Sequence, residues 1–166
     1  MKMICCEAEQ FYHDFFPLII ELDCGDKFCE ENPQHVEWMK KRIRNSLLDY
    51  GTILAAYCDD GLPVGFIWYK HDTGLEGVAY SGKCAHIRMF GLFEEYRGNG
   101  IGTELLNEAC RRIKENGGEC LYVDTYRENK DAVAYYVKRD FFPVAQLPGL
   151  NGIADDPQTL LYKVLE

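Results

Sequence analysis

The chain has 166 residues, 47% apolar and 13% aromatic, which suits a folded domain with its own core and excludes a disordered protein. A formal net charge of −9, from 27 acidic and 18 basic side chains, argues against a nucleic-acid partner, whose phosphates are gripped by Lys and Arg. No apolar run approaches the roughly 20 residues that cross a bilayer, and MKMICCEAEQ lacks the apolar core of a secretory signal, so the expectation is a cytoplasmic protein without a membrane partner.

MICCEA opens the chain as a short strand. From Ala8 to Asp23 the apolar residues have helical density, with Pro17 kinking or dividing the run. A second helix begins at Asn32 with Pro33 in its first position, and Val36, Met39, Ile43, Leu47 and Leu48 form one stripe through Tyr50. TILAAYC and VGFIWYK, separated by DDGLP, read as a hairpin. HDTGLEGVAYSG is a loop, and KCAHIRMFGLF is the next strand. Ile101, Leu105, Ala109 and Ile113 mark a helix ended by Gly117 and Gly118. CLYVDTY is a strand, and Asn129 caps a helix running to about Arg139. Two short strands follow, near Phe142 to Gln146 and Thr159 to Val164, joined by LPGLNGIADDP. With no repeat, low-complexity tract or linker, residues 1–166 are read as a single domain with a mixed α/β sheet flanked by helices.

Of the eight cysteines, Cys58, Cys84, Cys110 and Cys120 lie inside apolar patterns and are expected as small buried hydrophobes in a reducing compartment. Cys24 and Cys29, with His13 and His35, have zinc-binding side chains, but no paired CxxC or HxxxH spacing. No metal site is expected.

EEYRGNGIGTELL, Glu94 to Leu106, puts an arginine and three glycines between a strand and a helix. Such a loop suits a phosphate-bearing anion, because glycines let backbone N–H groups approach it and the helix N-terminus supplies donors and a favourable dipole. A Walker A loop needs a Lys after the glycines, and none follows. A dinucleotide fingerprint needs GxGxxG inside repeated βαβ units. Here Gly98, Gly100 and Gly102 read GxGxG, and the chain begins with helices and a meander, although Asp124 does sit where a ribose-binding acid stands. The remaining pattern, Arg-x-x-Gly-x-Gly, is met by Arg97, Gly100 and Gly102, with Gly98 and Asn99 able to take positive φ in a nest of amides.

GLFEEYRGNGIGTELL resembles the acetyl-CoA-binding motif of the GNAT superfamily of N-acetyltransferases, and NKDAVAYYVKRDFF is similar to that family's second signature helix. The element order resembles the family fold, a mixed, mostly antiparallel sheet flanked by helices. In one departure, Asp140 stands where the family usually has a Gly.

The resemblance implies acetyl-CoA as co-substrate, held at Leu92, Arg97, Gly98, Asn99, Gly100, Ile101, Gly102, Thr103, Asn129 and Tyr136, with no metal. It implies an acetyl transfer to a primary amine of a small molecule or peptide, in which the Leu92 N–H polarises the acetyl carbonyl and Tyr136 protonates the departing CoA thiolate. His86 matches the position of a general base in some members, with an ordered water as the alternative. An acyl-CoA sensor without catalysis, or use of another acyl-CoA, stays open. A homodimer through the C-terminal strands is a further expectation from the family. For the acceptor, Glu30, Glu31, Asp59, Asp60 and Asp72 read as solvated charges, and Trp38 and Trp68 as core residues.

Overall fold

A computed structural model describes residues 1–23, 31–48, 51–71, 83–147 and 157–166. Among these are seven strands and four helices. They are β1 (Lys2–Cys5), α1 (Ala8–Asp23), α2 (Pro33–Leu48), β2 (Gly51–Tyr57), β3 (Pro63–His71), β4 (Cys84–Leu92), α3 (Ile101–Glu115), β5 (Cys120–Tyr126), α4 (Lys130–Val137), β6 (Phe142–Leu147) and β7 (Gln158–Val164). The strands form a mixed sheet in the order β1-β2-β3-β4-β5-β7-β6, with β4 and β5 parallel. Tyr50 and residues 72–82 and 148–156, most of the two expected loops, lie outside the described residues, as do Cys24, Cys29, Glu30 and Asp72 and the side chains of Ile43, Leu47 and Leu48.

The chain divides into two compact units. The first comprises Met1–Lys70 and Arg88–Ala109. In it β1 pairs antiparallel with β2 (Ile4 opposite Ala55) and β2 with β3 (Leu54 opposite Ile67). Phe11, Phe15, Leu18 and Ile19 of α1 pack with Ile53, Ala55 and Tyr57 of β2 and Phe66 and Trp68 of β3, alternate residues as a strand's period of two requires. Leu54, Ala56, Ile67 and Tyr69, on the other face, are buried too.

Pro17 sits inside α1 and does not divide it. It offers no N–H to the His13 carbonyl, a defect of about 3 kcal/mol. Burial of each large apolar side chain on the inner face is worth about 1.5–3 kcal/mol, so the face outweighs the break. Trp68 is buried as expected, whereas Trp38 is not a core residue: it is 52% exposed on α2, its ring beside that of His35.

The second unit comprises His71–Ile87 and Cys110–Glu166. The first half of β4 pairs with β5 (His86 opposite Tyr122), β5 pairs antiparallel with β7 (Asp124 opposite Leu160), and β6 closes the edge against β7, with a register shift between Pro143 and Ala145. Cys84 and Cys120, opposite each other on β4 and β5, are joined by a disulfide. This corrects the expectation of two separate thiols, since the register brings their Cα atoms to 4.5 Å, within the reach of a bridge.

Two turns follow from single residues. Gly117 takes φ 84°, and the Gly118 N–H donates to the Ile113 carbonyl, ending α3. After α4, Asp140 takes φ 64°, so an aspartate makes the left-handed turn for which glycine is the usual choice.

Candidate active site

In the first unit β4 ends at Leu92, and a 3-10 turn over Glu94–Tyr96 leads to Arg97, whose backbone is extended. Gly98 (φ 79°) and Gly100 (φ 83°) are the left-handed positions of the loop; Asn99 is not one of them, and its side-chain amide donates to the Arg97 carbonyl at 3.3 Å. A Cβ would meet nothing within 4 Å at either glycine, so glycine is required here for the backbone turn and not for space. The Gly100 carbonyl accepts from the Thr103 and Glu104 N–H groups at 2.9 and 3.1 Å, closing the first turn of α3. As at any helix start, Ile101 and Gly102 have no carbonyl behind them in the helix, which leaves their N–H groups for an anion.

The end of β4 is closely held. The Phe93 N–H donates to the Val64 carbonyl at 3.0 Å, and the Arg97 Nε donates to the Leu92 carbonyl at 2.8 Å. The same guanidinium donates from Nη2 to Glu21 Oε1 of α1 at 2.5 Å. Arg97, expected on a phosphate, is thus engaged with the strand end and with α1. At Gly91 a Cβ would lie 2.5 Å from Leu22 Cδ1, a side chain of α1. The close backbone approach is at Gly65 on β3, where a Cβ would lie 2.5 Å from the Gly91 carbonyl oxygen and 2.9 Å from Leu92 Cα. Neither Glu21 nor Gly65 was marked by the sequence, since each acts on a residue far along the chain.

In the second unit His86 is 7% exposed. Its Nε2 lies 2.6 Å from Asp124 Oδ1, and its ring stacks on Tyr122 with centroids 4.4 Å apart and planes 15° apart. The signal for Asp124 was its place two residues after the partner of His86, which puts it on the same face once β4 and β5 are neighbours. A neutral imidazole held by a carboxylate at one nitrogen has its tautomer and orientation set, as a proton acceptor needs.

Tyr136, 6% exposed on α4, packs against Phe141 and Tyr135 with ring centroids 5.1 and 5.3 Å away. Burial, followed by the nearby Tyr135 and Asp124, pushes its phenol well above the ordinary tyrosine range, so it stays protonated. Asn129 is the N-cap of α4, its Oδ1 accepting from the Ala132 N–H at 3.1 Å.

Asp59 pairs with the N-terminal amine at 2.7 Å, Glu31 and Asp60 are exposed, and His13 Nδ1 lies 2.8 Å from Asp14 Oδ1. Among the described residues no group of three or more His, Cys, Asp or Glu is placed to hold a metal, and no helix is long and apolar enough to cross a membrane.

The model of the acetyltransferase (GNAT) family matches residues 11–141. An N-alpha-acetyltransferase of Saccharolobus solfataricus is 27% identical over 114 residues, which cover 66% of this chain and 68% of that protein. The ribosomal-protein-S18-alanine N-acetyltransferase of Escherichia coli has the same fold, with TM-score 0.73 at 12% identity over 99% of this chain and 94% of that one. A protein of Bacillus anthracis str. Ames, solved in complex with acetyl coenzyme A, matches with TM-score 0.59 at 22% identity over 70% of this chain and 64% of its own.

Proposed function

The chain belongs to the GNAT acetyltransferase family, and from that premise we propose that it moves an acetyl group from acetyl-CoA to a primary amine of a small molecule or peptide. The observation that carries this reading is the loop from Gly98 to Thr103, with two left-handed glycines leading into the start of α3. Backbone N–H groups there suit a pyrophosphate, and Gly98, Asn99, Gly100, Ile101, Gly102 and Thr103 are assigned to it. Asn129 is assigned to the CoA arm, beside its role as a cap.

In this mechanism the acceptor nitrogen attacks the thioester carbonyl carbon within a ternary complex, and the C–S bond breaks. The Leu92 N–H stabilises the oxyanion, a contribution of a few kcal/mol in sites of this kind. The departing CoA thiolate takes its proton from Tyr136, a phenol that is protonated at neutral pH. The proton lost by the amine goes to His86, held by Asp124, or to a water. No covalent enzyme intermediate is needed, so no cysteine serves as a nucleophile.

The N-alpha-acetyltransferase relatives make a peptide α-amine the first acceptor to try. A homodimer belongs to the same reading: β6 is at the sheet edge, with Phe142 62% and Val144 54% exposed, and gel filtration tests it. The deciding experiment is thiol release from acetyl-CoA with a panel of N-terminal peptides, lysine peptides, polyamines, aminoglycosides and amino acids. Release with one class establishes the transferase and its acceptor type. Binding of acetyl-CoA without release to any of them would favour an acyl-CoA sensor, and absence of binding would overturn the assignment of the glycine loop.

A further inference from the structure

We propose that Arg97 is a positioning residue: with Glu21 as its counter-charge, it holds the Leu92–Phe93 peptide and so aims the end of β4. It is not a phosphate ligand. This rests on the reading above in that the Leu92 N–H is the oxyanion donor.

The geometry is that of a clamp. The Leu92–Phe93 peptide is gripped at both polar atoms, the carbonyl by Arg97 Nε at 2.8 Å and the N–H by the Val64 carbonyl at 3.0 Å. Rotation of that peptide about the Leu92 Cα would break one contact or the other. Gly65 lies so near the preceding peptide, which carries the Leu92 N–H, that a Cβ on it would stand 2.5 Å from that peptide's oxygen, and a Cβ on Gly91 would stand 2.5 Å from Leu22 Cδ1. Leu22 and Glu21 are consecutive, so one turn of α1 supplies both the apolar stop at Gly91 and the carboxylate for Arg97.

The choice of arginine fits this task. A guanidinium is planar and presents donors in a fixed fork, so one side chain spans a carbonyl and a carboxylate at once, which a lysine ammonium on its flexible stem does not reproduce. Both ionic partners are close to half-exposed (45% for Arg97 and 49% for Glu21), so the pair adds little stability through charge alone. Its value is directional. The Arg97 Nε and one Nη2 N–H are engaged in this way, and the Glu21 carboxylate offsets its charge, which makes it a poor pyrophosphate ligand.

The test combines calorimetric titration of acetyl-CoA with steady-state turnover of the amine that the wild-type protein accepts, for Arg97→Gln, Arg97→Lys and Glu21→Gln. Acetyl-CoA affinity and its salt dependence should stay within about twofold of wild type in all three, while kcat falls about tenfold in Arg97→Gln, as expected for a donor displaced by a fraction of an ångström. Glu21→Gln should lower kcat in the same direction, and Arg97→Lys should restore part of the loss. Tenfold or greater weakening of acetyl-CoA in Arg97→Gln would overturn the proposal. Tighter acetyl-CoA binding by Glu21→Gln would overturn it too, since it would mark Glu21 as a competitor for a phosphate-binding arginine, as would an unchanged kcat in Arg97→Gln. If wild type accepts no amine, the transfer reading falls by itself. Amide exchange at Phe93 then decides for Arg97: faster exchange in Arg97→Gln at unchanged affinity supports the clamp, and unchanged exchange refutes it.

Discussion

His86 and Asp124 meet at 2.6 Å across two parallel strands, at the point where the imidazole also lies flat on Tyr122. A ring held at one nitrogen and on one face keeps a single orientation, the property required of a group that takes a proton from a passing ligand. Asp124→Asn should therefore lower kcat by roughly 10²- to 10⁴-fold, the range for a disabled general base, with acetyl-CoA affinity unchanged. His86→Gln should show a loss of the same size, and the double variant no further loss, because the two act as one unit. Additive losses in a double-mutant cycle would show that they act separately.

Tyr136→Phe removes only a hydroxyl from a packed ring. Turnover should fall by about 10²-fold or more while acetyl-CoA binding hardly changes. Because the phenol is pushed above its ordinary range, no loss of activity on the alkaline side below about pH 10 should be traceable to it. An alkaline limb that disappears in Tyr136→Phe would contradict this.

Gly65→Ala tests the tight approach of β3 to the end of β4. The new methyl would stand 2.3 Å from Leu92 Cδ2 and 2.5 Å from a backbone oxygen, and the backbone cannot yield as a side-chain tip can. Overpacking of this kind costs about 1–3 kcal/mol, read as a lower midpoint in urea. Gly91→Ala, which meets mainly the end of Leu22, should be the milder change.

Asp140→Gly should raise stability by roughly 0.5–1 kcal/mol, since the left-handed conformation at φ 64° is unfavourable for a residue with a Cβ. Loss of the exposed contact to Lys163, at 3.4 Å, subtracts little. Thermal unfolding would show a rise of about 2 °C.

Asp14 should shape the acid side of the stability curve. Burial pushes its carboxyl up, but hydrogen bonds from His13 and Tyr57 outweigh that and hold it below the ordinary range. The folded form therefore binds this proton less tightly than the unfolded chain. The stabilisation is present above the unfolded value of about 3.9 and is lost as pH falls through the lower folded value. Asp14→Asn should flatten the decline of the urea midpoint between about pH 5 and pH 2; an unchanged slope there would remove Asp14 from the account.

The elements of the candidate site were readable because their signals are local. Asn129 and Ala132 are three residues apart, so the cap is a matter of short-range hydrogen bonding. Gly98, Gly100 and Gly117 mark backbone turns that a residue with a Cβ resists, whatever surrounds it. The four-residue repeat from Leu105 to Ile113 likewise states which face of α3 is buried, and those side chains are 0% exposed. Pro17 leaves α1 undivided for a related reason: its local defect is real, but the buried face of the helix outweighs it.

What the sequence alone determined, then, is the order of strands and helices and the glycine turns that lead into α3, because spacing and turn chemistry act within a few residues. Only the tertiary structure decided which side chains serve one another. Arg97 finds Glu21 across 76 positions and His86 finds Asp124 across 38. Cys84 meets Cys120 only because β4 and β5 pair in that register, and Trp38 faces outward only because α2 turns another face inward. Such partnerships depend on which strands become neighbours and on what covers each helix face. That outcome is settled by burial summed over a whole core, which no short window of residues contains.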